Sequence, residues 1–290
     1  IHVPVMVREV VSYLDKRPRG VFVDATIGGG GHGRAVLAAL PPDTLYVGLD
    51  ADPAAVARAT TALAPFADRI KVKHASFREL ARAVEVFTGR VTNVLFDLGL
   101  SSDQLADAGR GFSFLTPGPL DMRFDAGAGS LTAAVIVNTY TERELADLIF
   151  RYGEERKARV IARAIVNARR RAPIATATQL AEVIGRKFSG RSRIHPATRT
   201  FQALRIAVND ELGALRSALP QAWEVLAPGG RIAVIAYHSL EDRVVKEFVR
   251  NYLREGNVRA VTPKPVRPTP EEMRTNRRSR SARLRVVAKV

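Results

Sequence analysis

At 290 residues with 46% hydrophobic content, the chain can bury a substantial core, which excludes a disordered or fibrous protein. It has no cysteine and only five histidines, which excludes disulfides and thiolate metal sites and argues against a structural zinc or any other metal; no apolar run approaches the roughly eighteen residues of a membrane-spanning helix. The formal net charge of +16 is almost wholly arginine, since lysine occurs only eight times, and this excess points to a polyanionic partner.

Residues 21–26 are an apolar run ending in Asp24-Ala-Thr, and they feed the glycine-rich turn Gly28-Gly-Gly30-Gly31-His32-Gly33. A second apolar run, 45–50, ends in Asp50 about twenty residues later. Strand, glycine turn, helix and acid-tipped strand spell a βαβ nucleotide-binding unit, in which glycines allow the sharp turn and close approach of the ligand. Gly28, Gly30 and Gly33 formally satisfy the dinucleotide pattern G-x-G-x-x-G, but Asp24 just before the turn would repel a pyrophosphate and attract a cation. An ammonium beside a sulfonium suits that acid better, so the expected cofactor is S-adenosylmethionine, with Asp50 on the ribose hydroxyls. A nicotinamide oxidoreductase is the reading that the glycines alone would favour.

Further along, residues 70–74 and 91–98 read as buried strands, with alanine-rich helical patterns at 34–40 and 53–63. This alternation predicts an α/β protein with a parallel, doubly wound, Rossmann-like sheet. Beyond Ser102 the pattern changes: residues 107–199 contain no convincing strand, and helical periodicity runs over 140–171 and 176–188, the second opened by the capping box Thr176-Ala-Thr-Gln179. The expected organisation is one methyltransferase-type domain from 1–106 and 200–290, interrupted by an inserted helical domain at 107–199. A helix is expected over about 197–226, a turn at Ala227-Pro-Gly-Gly230, and strands at 231–236, 258–262 and 284–288, the last two forming a hairpin.

Several long blocks then carry a family resemblance. His2, Gly28–His32, Asp97-Leu-Gly-Leu-Ser-Ser102, Gly109-Arg-Gly-Phe-Ser-Phe114, Gly118-Pro-Leu-Asp-Met-Arg-Phe-Asp125, Tyr152-Gly-Glu-Glu-Arg156, His195-Pro-Ala-Thr-Arg199 and His238-Ser-Leu-Glu-Asp-Arg243 closely resemble the bacterial ribosomal small-subunit methyltransferase H family over nearly the whole chain. The resemblance implies methyl transfer from S-adenosylmethionine to the exocyclic N4 of a cytidine in 16S ribosomal RNA of the small subunit, a helical insert in the fold, and a cytoplasmic enzyme. It assigns Gly30, Gly31 and His32 to the cofactor turn, Asp50 to the ribose, Phe77 and Asp97 to the adenine neighbourhood, and Gln104 to a further cofactor contact.

The chemistry of transfer to an amine asks for in-line approach and a group that accepts the amino proton. Amino-methyltransferases often carry Asp/Asn/Ser-Pro-Pro-aromatic after the fourth strand; here that position reads Asp97-Leu-Gly-Leu100, without prolines or aromatic. Asp97 and His238 are the catalytic candidates, His238 either as a proton acceptor or as a histidine closing the strand. The base-stacking aromatic is Phe112, Phe114 or Tyr237. Asp121, Arg123 and Arg110 read as a salt-bridged scaffold or an RNA contact. For RNA the candidates are Arg169-Arg-Arg171, Arg191, Arg193 and the tail arginines 274, 277, 278, 280, 283 and 285, a set in keeping with phosphate tracking. A DNA amino-methyltransferase and a non-enzymatic ribosome-assembly factor remain alternatives, and the oligomeric state, a homodimer included, stays open.

Overall fold

The structure is a computed structural model that describes residues 4–127, 129–188 and 195–290. His2, Arg191 and Arg193 lie outside the described residues. The chain divides into two compact units, one of residues 1–101 with 212–290, the other of residues 102–211. This division starts earlier and ends later than the 107–199 insertion expected from the pattern, because the short helix Ser102–Ala106 and all of the helix ending at Asn209 join the second unit.

In chain order the elements are α1 (Val7–Ser12), β1 (Val21–Asp24), α2 (Gly31–Ala39), β2 (Leu45–Asp50), α3 (Pro53–Ala62), β3 (Ile70–His74), α4 (Leu80–Val84) and β4 (Val91–Asp97). The second unit holds α5 (Ser102–Ala106), α6 (Ala133–Thr139), α7 (Glu142–Gly153), α8 (Ala158–Arg169), α9 (Ala177–Gly185) and α10 (Thr198–Asn209). The chain returns through α11 (Glu211–Val225), β5 (Leu226–Ala236), α12 (Ser239–Arg254), β6 (Val258–Ala260), α13 (Pro270–Thr275) and β7 (Arg283–Lys289). No helix among the described residues is long and apolar enough to cross a membrane.

The first unit is built on one seven-stranded sheet in the order β3-β2-β1-β4-β5-β7-β6. The five strands β1 to β5 run parallel, and β7 enters antiparallel between β5 and β6 as the expected hairpin. Central strands covered on both faces must be apolar throughout, and all four residues of β1 are buried. Phe22 and Tyr46 stack across β1 and β2 with ring centroids 5.4 Å apart, at the heart of a cluster with Val36, Leu37 and Leu63. Each such fully buried large side chain contributes about 1.5–3 kcal/mol. The expected turn at 227–230 is instead an excursion within β5: Leu226 pairs with Val91 and Arg231 with Asn93, with a register shift between them.

The second unit is helical, and its one strand-type pairing among the described residues is the bridge between Pro119 and Thr176. Two capping boxes start its helices, Thr141 with Glu144 on α7 and Thr176 with Gln179 on α9. The periodic run expected over 140–171 is broken at Glu154, which turns left-handed at φ 49°. The helix expected over 197–226 is likewise broken at Asp210, at φ 44°. Apolar stripes on α7 (Leu145, Ile149), α8 (Ile161, Ile165) and α10 (Phe201, Leu204) form the buried interior. Gly153 ends α7 where a Cβ would lie 2.6 Å from the Arg199 carbonyl oxygen in the first turn of α10. Gly153→Ala is therefore expected to push the two helices apart and cost about 1–3 kcal/mol, read as a lowered melting temperature by calorimetry.

Candidate functional site

Strands β1, β2 and β4 end in Asp24, Asp50 and Asp97 at the carboxyl edge of the sheet. The strand order reverses between β1 and β4, the place where open α/β sheets leave a crevice for ligands. The chain leaves β1 through Ile27, whose N–H donates to the Leu49 carbonyl, and the turn closes when the Gly30 N–H donates to the Ile27 carbonyl, both at 2.9 Å. Gly30 holds φ 79°, and a Cβ there would stand 3.3 Å from Leu63 Cγ, so the turn needs glycine on both counts. Gly31 opens α2 with Pro4 packed against it.

Asp50 is seated against this turn. Its Oδ2 accepts from the Gly28 N–H and its Oδ1 from the Asp52 N–H, each at 2.9 Å. Burial pushes its carboxyl up to about 6 despite the two amides that hold it down. A carboxylate offers about four lone-pair positions, so two remain for further donors. Asp52, the next acid, caps α3 through the Ala54 N–H, with Pro53 at the first helical position.

Asp24 sits beneath the turn rather than on it. It is 1% exposed, with Oδ2 accepting from the Tyr46 hydroxyl at 2.6 Å and Oδ1 from the Thr26 N–H at 3.1 Å. The acid that the sequence assigned to a ligand's ammonium is thus enclosed, with both carboxylate oxygens already accepting from the protein. Burial raises its carboxyl, and the Tyr46 hydrogen bond works against that rise.

On the other side of the switch point, Asp97 is held from three directions. Its N–H donates to Thr26 Oγ1 (2.7 Å), its Oδ1 accepts from the Tyr237 hydroxyl (2.7 Å), and its Oδ2 lies 3.5 Å from His32 Nδ1. His32, in the first turn of α2, places Nε2 2.9 Å from the Val5 carbonyl. Phe77 follows β3, half-buried and edge-on to Phe96 with centroids 5.8 Å apart. The structure thus gathers Asp24, Gly30, Gly31, His32, Asp50 and Asp97 round one turn. Gln104 is buried within α5, in the second unit.

His238 takes the role of closing the strand. It caps α12, with Nδ1 accepting from the Glu241 N–H at 3.3 Å, and its buried Nε2 is 3.1 Å from Glu241 Oε1 without the alignment of a hydrogen bond. Both ring nitrogens therefore face Glu241. Two residues that sequence reasoning missed in their actual roles complete the arrangement. Tyr237, weighed only as a stacking aromatic, commits its hydroxyl to Asp97, and buried Glu241 accepts from the Tyr237 N–H at 2.7 Å. The acid three residues after His238 was the available signal for Glu241; for Tyr237 the signal was its position just past the strand beside β4.

The other candidates divide clearly. Arg169 donates to the Val137 and Tyr140 carbonyls at the end of α6, Arg278 to the Leu100 carbonyl, and Arg283 and Arg285 to Asp242. These side chains hold the fold, whereas Arg170, Arg171, Arg274, Arg277 and Arg280 are exposed. Arg123 holds Asp121 at 2.7 Å and keeps its carboxyl below the usual range, while Arg110 donates to the Arg123 carbonyl, so that group is the scaffold of the two readings. Phe112 is buried beside Phe124, and Phe114 packs between His195 and Phe201.

A seven-stranded sheet ending in a reversed hairpin, with acid-tipped strands round a glycine turn at the switch point, defines a Rossmann-like methyltransferase. The chain belongs to the MraW methylase family, matched over residues 1–290. It is 51% identical to the ribosomal RNA small subunit methyltransferase H of Thermomicrobium roseum, covering 100% of this chain and 94% of that protein. The protein of the same name from Deinococcus radiodurans is 50% identical over 98% of this chain and 88% of its own length. Among solved structures, a putative rRNA-methylase from Clostridium thermocellum superposes over the whole of both chains at 14% identity with a TM-score of 0.48, and the assignment rests on the sequence match rather than on that superposition.

Removing the phenol hydroxyl in Tyr46→Phe strips buried Asp24 of one of its two donors. A loss of about 1–3 kcal/mol is expected. Because the folded-state carboxyl is already raised and would rise further, the loss should be larger at pH 8 than at pH 5, where the orphaned acid can take a proton; thermal melts across that range check it.

Proposed function

We propose that this enzyme transfers the methyl group of S-adenosylmethionine to the exocyclic N4 of a cytidine in 16S ribosomal RNA, in the cytoplasm. The observation that carries the reading is the pair of acids across the switch point: Asp50, backed onto the glycine turn with two lone-pair positions left, and Asp97, anchored one strand beyond β1. The first suits the two ribose hydroxyls of an adenosine cofactor, and Phe77 lies at the end of β3 on the side where the adenine would stack. The whole-chain family match and the names of the relatives support the ribosomal substrate.

When bound, the sulfonium supplies an activated methyl group. The protein's part is alignment, exclusion of water and acceptance of one proton. Gly30 and Gly31 let the backbone come close to the cofactor, His32 and buried Asp24 present a negative-to-neutral wall beneath it, and Asp97 accepts the proton that the amine releases as its nitrogen bonds to carbon. The second unit supplies the RNA-recognition surface, with exposed Arg170 and Arg171 at the end of α8 as its phosphate contacts.

Asp50→Ala is expected to weaken cofactor binding about a hundredfold or more, the loss of two charge-assisted hydrogen bonds, measured by calorimetry with S-adenosylhomocysteine. The reaction is tested by incubating the protein with labelled S-adenosylmethionine and undermethylated small ribosomal subunits, then identifying the labelled nucleoside by mass spectrometry. Label on cytidine N4 is the expected outcome. Label in DNA alone, or none despite cofactor binding, overturns the substrate.

A further inference from the structure

We propose that Tyr237 is a positioning residue for methyl transfer: its phenol holds Asp97 Oδ1 so that Oδ2, facing His32 Nδ1, is the oxygen that captures the proton released by the substrate amine. The inference deepens the reading above and rests on Asp97 being the acceptor.

Tyr237 is itself firmly placed. Its N–H donates to Glu241 Oε2 at 2.7 Å, and Glu241 is locked to the start of α12 by the capping box with His238. Its ring lies beside Gly99, where even a Cβ would stand 3.5 Å from Cδ2, so the chain just beyond β4 leaves room for the ring. From there the hydroxyl reaches Asp97 Oδ1 at 2.7 Å, joining the ends of β4 and β5 by a side-chain bond between neighbouring strands. Burial and the nearby Asp97 push the phenol well above its ordinary range, against the pull of Arg278, so it stays a donor and never becomes the base.

The other oxygen has a different partner. A carbonyl can only accept, so the 2.9 Å contact of His32 Nε2 with the Val5 carbonyl puts a hydrogen on Nε2. In neutral His32 the Nδ1 lone pair then faces Asp97 Oδ2 across 3.5 Å, two acceptors with no hydrogen between them. One proton fills that gap. Asp24 faces both groups, and Arg278 and Glu241 face Tyr237. The balance is complete: the sulfonium carbon–sulfur bond breaks, the nitrogen–carbon bond forms, and one amine proton moves to Asp97 Oδ2, where His32 Nδ1 shares it. Without the phenol, Asp97 Oδ1 loses the donor that favours its ionised form, and the carboxylate is a poorer acceptor where protons are plentiful.

The test is single-turnover methyl transfer to undermethylated small subunits at saturating S-adenosylmethionine from pH 5.5 to 9, with calorimetric S-adenosylhomocysteine binding alongside. A hydrogen bond to the ionised form favours it, so Tyr237→Phe should move the acid limb of the pH–rate profile upward by about one unit and slow transfer about tenfold near pH 6. The rate should recover toward that of the unaltered enzyme at pH 9, with cofactor affinity changed no more than about threefold. Incorporating 3-fluorotyrosine at Tyr237, a stronger donor of the same shape, should move the limb the opposite way. A uniform loss at every pH, or no loss, while Asp97→Asn abolishes transfer, overturns the role of Tyr237 and leaves Asp97 as acceptor. Full transfer by Asp97→Asn overturns the acceptor assignment itself.

Discussion

Two backbone amides, those of Gly28 and Asp52, converge on the carboxylate of Asp50, and the geometry of the site depends on that convergence. One amide belongs to the glycine turn after β1 and the other to the start of α3, so a single side chain at the tip of β2 ties both loops together. In the proposed function the same carboxylate also meets the ribose. Its raised proton affinity records the conflict: burial beside Asp24 and Asp52 opposes the charge that the amides and a ribose would favour. Sites commonly hold such strained electrostatics, relieved only when the ligand arrives.

A second carboxylate arrangement mirrors the first across the switch point. Asp97 is reached by Thr26, Tyr237 and His32, from the turn after β1, the end of β5 and the first turn of α2. Tyr237 donates to it and Thr26 accepts from its N–H, both from positions just after strands, while His32 sits in the first turn of α2, which is how a site holds its geometry to fractions of an ångström. Where other amino-methyltransferases carry a proline-rich motif, this chain holds an acid from the neighbouring strand.

Much of this was legible in the sequence, for identifiable reasons. A strand buried on both faces reads as an unbroken apolar run, so β2 fell at its observed bounds; β3, at the sheet edge, showed instead by its alternating Ile-Lys-Val-Lys, and the glycine turn with Asp50 announced itself by spacing. The break at Glu154 was not legible, because a left-handed residue of a type that usually continues a helix is imposed only by tertiary packing; the one at Asp210 had a local signal in Asn209-Asp210, residue types that tolerate the left-handed region, which the helical periodicity overrode. Tyr237 and Asp97 are 140 residues apart, a pairing no local pattern can reveal. Composition also overstated the free basic surface, since guanidinium groups such as Arg169, Arg283 and Arg285 are engaged in holding carbonyls and Asp242.

The central claim is that Asp50 meets the cofactor as a carboxylate, and calorimetry of S-adenosylhomocysteine binding between pH 5 and 8 tests it most directly. With its carboxyl at about 6 in the free protein, binding must expel a proton below that pH. Affinity should therefore be flat above pH 7 and fall by up to about tenfold per unit below 6, with proton release seen as a buffer-dependent heat. Affinity that stays constant down to pH 5, with no proton released, would contradict the account.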